Sequence, residues 1–201
     1  MSDEQAWDER YRHSDRIWSG DPNVAFVAAV SSLPPGRALD LACGEGADAV
    51  WLARRGWQVT AADISGVALE RAAAHAVEAG VTVDWQRHDL EKTFPAGSYD
   101  LVSSQFLHFW AEFDREKIHR RAAEAVAPGG ILLIEGHLDH GPFPHDGPEI
   151  RFPAPDEVIA ALELDASWEV LAAEIHPRRQ VGPDGSPATR TDSTVKLRRR
   201  P

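Results

Sequence analysis

The stretch that decides the fold reads Ala38-Leu39-Asp40-Leu41-Ala42-Cys43-Gly44-Glu45-Gly46 and continues into the helical pattern of residues 47–53. An apolar run ends at an acidic residue, a short turn with glycines follows, and a helix then begins. Such a turn lets a ligand approach bare backbone and lie against the positive end of the new helix. Asp63 ends the next apolar run, where the second strand of a βαβ unit would finish. A carboxylate there can accept both hydroxyls of a ribose, so the stretch predicts a dinucleotide or a nucleoside site.

The spacing of the small residues separates these two kinds of site. A dinucleotide fingerprint, G-x-G-x-x-G, brings a doubly charged pyrophosphate onto the helix terminus. Here the pattern is Asp40-x-Ala42-x-Gly44-x-Gly46, which closely resembles the first motif of class I S-adenosylmethionine-dependent methyltransferases. The cofactor of that family carries a positive sulfonium and an amino group but no phosphate, so acidic residues suit it. Ala42 departs from the family's usual glycine. Its methyl group narrows the passage beside the methionine part and is tolerable if φ is negative.

Two more segments match the same family. Asp89 and Leu90 follow the predicted third strand, and Pro128-Gly129-Gly130 makes a tight turn from a helix into a strand. The resemblance implies that Asp63 holds the ribose, that Asp89 accepts from the adenine amine and that the backbone of Leu90 reaches the ring. The residues expected to line the site of S-adenosyl-L-methionine, and of its product S-adenosyl-L-homocysteine, are Trp18, Asp40, Ala42, Cys43, Gly44, Gly46, Asp63, Ile64, Asp89, Leu90, Ser104 and Gln105.

The order of apolar runs predicts an α/β fold. Predicted strands and helices alternate as far as Gly136, and two strands joined by a polar turn end the chain. This pattern, together with the resemblance, implies a Rossmann-like, seven-stranded and mostly parallel sheet with an antiparallel C-terminal hairpin and helices on both faces. We expect one domain over residues 1–201. Residues 1–20, which carry Trp7 and Tyr11 on one helical face, either close over the cofactor as a lid or pack on the core.

Two histidines are candidates for catalysis. His108 follows the predicted fourth strand and His137 follows the fifth. A neutral imidazole can take a proton from a hydroxyl, amine or thiol nucleophile, or it can orient a loop or bind the acceptor without moving protons. A soft sulfur, selenium or tellurium anion would need no base. The histidines and carboxylates of residues 137–148 lack the spacing of a metal site on a fixed helix or hairpin, so no metal is predicted.

The overall composition limits the kinds of partner that the protein can have. The net charge of −11 argues against nucleic acid or a membrane surface, and the single cysteine excludes an internal disulfide. Without an apolar stretch of about 18 residues, a cytoplasmic protein is expected, acting on a small-molecule acceptor as a monomer or homodimer. Within the family, tellurite-resistance and thiopurine-type methyltransferases look most similar. Two alternatives stay open, namely a non-catalytic S-adenosylmethionine-binding sensor and a NAD(P)-binding oxidoreductase, which the missing fingerprint disfavours.

Overall fold

The computed structural model of the protein describes residues 3–107, 113–142 and 151–201. In this part of the chain six helices surround one seven-stranded sheet. The strands are β1 (Arg37–Leu41), β2 (Gln58–Asp63), β3 (Asp84–Arg87), β4 (Tyr99–Gln105), β5 (Val126–His137), β6 (Trp168–Val181) and β7 (Pro187–Arg199). The helices are α1 (Asp3–Arg12), α2 (Val24–Val30), α3 (Ala47–Arg54), α4 (Gly66–Glu78), α5 (Arg115–Glu124) and α6 (Pro155–Ala161).

The strand order is β3-β2-β1-β4-β5-β7-β6. Strands β1 to β5 pair in parallel, whereas β7 runs antiparallel to both β5 and β6. The predicted fold class, with its parallel sheet and terminal hairpin, is therefore confirmed. The order reverses between β1 and β4, and ligands of open α/β sheets bind outside the carboxyl ends of the strands at such a point. The fold thus places a crevice beside Leu41 and Gln105, the last residues of these two strands.

Each face of the sheet buries its own apolar layer. Phe26 and Val30 of α2 and Leu52 of α3 pack on one face. Ile118 and Ala122 of α5 pack on the other face. Burying apolar side chains on both faces is what makes the central strands nearly continuously hydrophobic. Among the helices described, none is long and apolar enough to cross a membrane.

Candidate active site

The turn after β1 has the backbone of a ligand-binding loop. Ala42, Gly44 and Gly46 all have positive φ, at 54°, 54° and 81°. Gly46 is the N-cap of α3 and contributes no side chain to the helix end. A Cβ at Gly46 would lie 2.7 Å from Trp85 and 2.8 Å from Ala72, so the close packing of this loop requires glycine. The loop is therefore the tight turn before a helix that its sequence predicts, and the N–H groups of Cys43 and Gly46 are hydrogen-bonded within it, to Ala62 O and Cys43 O.

Ala42 does not meet the condition under which its methyl group would be tolerated. Its φ of 54° lies in the left-handed region, where the Cβ of an L-residue crowds the backbone. The strain is about 1–2 kcal/mol for such a residue. Backbone strain of this kind is concentrated at functional sites, where the surrounding structure holds it in place.

Two buried carboxylates lie beside this loop. Asp40 is 2% exposed and accepts a hydrogen bond of 3.0 Å from Ser103 Oγ. Asp48 accepts from the backbone N and the Nδ2 of Asn23, at 2.8 and 2.7 Å. Burial raises the pKa of both, and the negative charge of Asp48 raises that of Asp40 further. Across the described residues, no lysine, arginine or histidine forms an ion pair with either. A cationic ligand would therefore be favoured here.

Asp63 joins the loop to the next helix. One carboxylate oxygen accepts from Gly44 N at 2.8 Å and the other from Ser65 N at 2.9 Å. Ser65 in turn caps α4 by accepting from Ala68 N. Burial raises the pKa of Asp63, although these hydrogen bonds partly offset that effect. Asp63 thus shapes the loop as well as standing at the predicted ribose position.

A cavity of about 280 Å³ opens next to Asp63. Ile64 and Asp89 line it, together with Asp3, Glu4, Arg87 and Lys92. Asp89 forms a 2.6 Å ion pair with Lys92, whose side chain is 78% exposed. Such an exposed pair contributes little stability, so Asp89 can exchange it for a ligand at small cost. Leu90 is buried in the core and its carbonyl accepts from Arg121.

The N-terminal segment packs on the glycine loop. Trp18 Nε1 donates to Tyr11 Oη at 3.1 Å, and a Cβ on Gly44 would lie 3.1 Å from that oxygen and 3.2 Å from Trp18 Nε1. Glu45, which is 3% exposed, accepts from Trp18 N at 3.1 Å and pairs with Arg71 at 2.9 Å. The structure therefore brings Trp18, Gly44 and Tyr11 together. Cys43 is a free cysteine whose Sγ donates to Gly44 O at 3.9 Å, and burial raises the pKa of its thiol because it disfavours the thiolate.

The polar side chains at the end of β4 lie on opposite faces of the sheet. Ser104 Oγ lies 3.2 Å from the ring of buried His119 on α5, so this side chain is on the face away from Asp40. Gln105 is only 9% exposed, and neither of its amide atoms has a hydrogen-bond partner among the residues that the structure describes. Buried amides are rarely left unpaired, and an unpaired one is a candidate ligand contact. Phe106 follows with a φ of 52°, which is a genuine outlier for a bulky residue.

His137, at the end of β5, belongs to a polar network that crosses three strands. Its Nδ1 lies 2.8 Å from Asp192 Oδ1, and Arg178 Nε donates to Asp192 Oδ2 at 2.5 Å. The ring of His137 stacks on Phe106 with the ring centres 4.4 Å apart. Burial lowers the pKa of His137, an effect that the Asp192 hydrogen bond opposes. Asp192 itself is fully buried, but its bonds to His137 and Arg178 hold its pKa low.

A second buried carboxylate lies on the same sheet face. Glu135 Oε2 accepts from Thr194 Oγ1 at 2.6 Å, and Oε1 lies 2.9 Å from His176 Nε2 without a well-aligned hydrogen bond. Burial raises the pKa of Glu135 to about 7. Sequence reasoning missed Glu135, Asp192 and Arg178. In the sequence these residues appear only as charged residues at alternate positions of predicted strands. The same pattern is equally typical of a strand with one face exposed to solvent.

The candidate His108 lies outside the described residues, so His137 is the one of the two that the structure places. Nowhere in the described ranges do three or more histidine, cysteine or carboxylate side chains gather as a metal site would need. Side chains of the cofactor candidates Asp40, Asp63 and Asp89 all stand at the carboxyl ends of neighbouring parallel strands.

The sheet order, the glycine loop and these carboxylates define an α/β protein with a polar crevice at the carboxyl ends of its parallel strands, where the sequence predicts a nucleoside. Comparison with known proteins agrees with the resemblance seen in the sequence. Residues 38–130 match the family model described as a methyltransferase domain. This match supports the resemblance to class I S-adenosylmethionine-dependent methyltransferases, and with it the cofactor S-adenosyl-L-methionine, that the sequence motif predicts.

Curated relatives match about half of the chain. The ubiquinone biosynthesis O-methyltransferase of Xanthomonas campestris pv. campestris (strain B100) is 34% identical over 111 residues, which are 54% of this chain and 46% of that protein. The enzyme of the same name from Escherichia coli O9:H4 is 34% identical over 100 residues, 49% of this chain and 41% of that protein. The chain thus spans about half the length of the curated relatives it matches.

Solved structures match over nearly the whole chain. One, concerned with the conversion of a disulfide bond into a thioacetal group during echinomycin biosynthesis, has a TM-score of 0.77 at 25% identity and covers 98% of this chain and 91% of that chain. TehB from Haemophilus influenzae has a TM-score of 0.71 at 20% identity and covers 98% of this chain and 67% of that chain. The second likeness concerns the fold alone.

Proposed function

We propose that this protein transfers the methyl group of S-adenosyl-L-methionine to a small-molecule acceptor and releases S-adenosyl-L-homocysteine. The observation that carries the proposal is the pair of buried carboxylates, Asp40 and Asp48, beside a positive-φ loop. Because both have raised pKa values and lack a cationic partner in the described chain, the site favours a cation-bearing nucleoside over a pyrophosphate. In this proposal the base end of the ligand lies in the cavity lined by Ile64 and Asp89.

Residues 1–20 serve, in this proposal, as a cover over the cofactor. Tyr11 and Trp18 lie against Gly44, and Asp8 accepts from Ser65 Oγ at 2.6 Å. These contacts link the segment to the loop and to the cap of α4 together. A cover excludes water from the transfer, which strengthens electrostatic interactions inside the site.

When bound, the cofactor supplies an activated methyl group on a positive sulfur. Held beside Asp40, Asp48 and Asp63, it would supply this methyl group to the nucleophilic atom of the acceptor, and the electron pair of the broken carbon–sulfur bond would stay on sulfur. His137 is the proposed proton acceptor, because the Asp192 hydrogen bond holds the proton on Nδ1 and leaves the lone pair on Nε2. Burial lowers the pKa of His137 and so favours the neutral ring that can accept a proton.

The proposed acceptor atom is a hydroxyl oxygen or a sulfur. A hydroxyl must lose its proton, and a buried His–Asp pair beside Phe106 suits that task. The relatives at 34% identity are O-methyltransferases, and a solved structure that covers 98% of this chain concerns sulfur chemistry. His137 is expected to contribute strongly to the rate of methyl transfer only when the acceptor atom is a hydroxyl oxygen, since a thiol ionises readily by itself.

The first test is calorimetric titration with S-adenosylmethionine and, separately, with NADH. We expect binding of the first alone, and weaker binding by Asp63→Asn, which keeps the shape of Asp63 but removes one acceptor. Asp63→Ala is a poorer variant, because Asp63 also holds Gly44 and Ser65. Binding of NADH alone would refute the proposal in favour of an oxidoreductase.

Turnover then separates an enzyme from a cofactor sensor. Release of S-adenosylhomocysteine is followed with a catechol and with a small aromatic thiol. His137→Gln is expected to slow the catechol reaction by about 100-fold or more, the usual contribution of a general base, and the thiol reaction much less. The control is Glu124→Gln, at an exposed residue at the end of α5 and outside the proposed cover. Binding of the cofactor without turnover of any acceptor would favour the sensor.

A further inference from the structure

Two arginines face each other across the terminal hairpin. Arg178 of β6 and Arg190 of β7 are directly paired in register, and both are partly buried. Like charges directly opposite each other destabilise an antiparallel pair unless something compensates them. Burial also lowers the pKa of Arg190, with the positive charge of Arg178 contributing. The repulsion between these two paired arginines therefore lowers the stability of the hairpin.

The nearby carboxylates are already engaged. Asp192 accepts from Arg178 Nε at 2.5 Å, but it is shared with His137. Arg190 Nε donates to the backbone carbonyl of Asp139 at 2.8 Å, while the Asp139 carboxylate accepts from the backbone of Thr191 and Gly141. Each guanidinium uses its Nε in these contacts. Among the hydrogen bonds of the described residues, its terminal NH₂ groups, the planar donors that suit a carboxylate, are not used.

The arginine pair adjoins the proposed proton acceptor. Asp192 pairs in register with both His176 and His137, and Arg178 lies two residues beyond His176, so all of them are on one face. The guanidinium carbon of Arg178 lies 5.1 Å from the centre of the Phe106 ring, on which His137 also stacks. The aromatic ring, the imidazole and the guanidinium groups thus border one surface.

We propose that the methyl acceptor carries an acidic group, a carboxylate or similar oxyanion, which Arg178 and Arg190 bind. This inference rests on the proposed function, because it concerns the acceptor side of the same site. Phe106 and His137 contact the body of the acceptor, and the arginines fix its acidic end. The negative charge of the bound group offsets the repulsion between the two guanidinium groups. The acidic group thereby selects the acceptor and orients its nucleophile.

The probes are benzoate and benzamide, which have nearly the same shape and differ in charge. Their affinities are measured by ligand-observed NMR for the protein with and without S-adenosylhomocysteine. We expect benzoate to bind more tightly by about tenfold or more, the factor that one charge-assisted hydrogen bond supplies. Equal binding of the two probes, tighter binding of benzamide, or no binding of either would overturn the inference.

Arginine variants identify the groups responsible. Arg190→Gln and the double variant with Arg178→Gln are expected to abolish the preference for benzoate. Arg179→Gln, at the exposed neighbouring position on the opposite face, is expected to keep it. Arg190→Gln is the more informative single variant if loss of Arg178 unfolds the protein, since Arg190 makes no contact with buried Asp192 among the hydrogen bonds of the described chain. A preference that survives in Arg190→Gln at full strength contradicts the proposal.

The cofactor is the other possible source of a carboxylate. Calorimetry with S-adenosylmethionine is therefore run on the same variants, and its affinity is expected to stay within about threefold, a difference below 1 kcal/mol. A loss of tenfold or more would show that the arginines hold the methionine carboxylate and would overturn the inference. If wild type does not bind S-adenosylmethionine, the proposed function is refuted. The preference for benzoate is measured separately in cofactor-free protein, so its failure can be told apart from that result.

Discussion

Ala42→Gly should stabilise the protein, although it exchanges a residue for glycine. Ala42 has a φ of 54°, where an L-residue is strained by about 1–2 kcal/mol. Glycine relieves that strain but gives the unfolded chain more freedom, which opposes folding by about 0.4–1 kcal/mol. The net expectation is a gain of roughly 1 kcal/mol, or about 3 °C in Tm for a chain of this size.

The assay is thermal and urea unfolding of wild type and variant. The matched control is Ala79→Gly, because Ala79 is also partly buried but has a φ of −77° at the end of α4. There glycine relieves no strain and should destabilise by about 0.5–1 kcal/mol. A fall in stability for Ala42→Gly equal to that of Ala79→Gly would refute the reasoning. Calorimetry adds a second readout, since removing the methyl widens the passage beside the glycine loop and should not weaken cofactor binding.

Two further variants test the buried charges. Burial raises the pKa of Glu135 from 4.5 to about 7, so its contribution to stability is complete below pH 4.5 and is lost as the pH rises through about 7. This decline in the free energy of unfolding, of up to about 3 kcal/mol, should be absent in Glu135→Gln. If urea unfolding gave wild type and variant the same dependence of stability on pH across that range, the prediction would be contradicted. Arg71→Met leaves Glu45, 3% exposed, without its cation and should destabilise by about 3–5 kcal/mol while speeding amide exchange in residues 3–20. The control Arg87→Met breaks an exposed pair with Glu4 in the same segment and should cost less than about 1 kcal/mol; unchanged exchange in Arg71→Met would refute the role of Arg71 in holding the segment.

Much of the cofactor side followed from local sequence. An apolar strand, an acidic residue and glycines before a helix describe a strand–turn–helix unit within a few residues, so Gly46 was correctly placed in the turn before a helix and Asp63 at the end of a strand. The sign of φ at Ala42 was not available, because the sequence shows a small residue but not its backbone conformation. Asp63 also proved to hold Gly44 and Ser65, a second task that no spacing reveals.

The acceptor side depended on register. His137 was a candidate from its place after a predicted strand, but its partner Asp192 lies 55 residues further along the chain. Arg178 and Arg190 belong to strands whose pairing sets which residues are opposite each other, and a shift of one residue would turn each side chain to the other face. By itself the sequence determined the α/β fold and the strand ends of the nucleoside site, because hydrophobic periodicity and turn chemistry act locally. Only the tertiary structure decided which distant carboxylate holds the imidazole and which cations border it, because those contacts follow from the order and register of strands far apart in the chain.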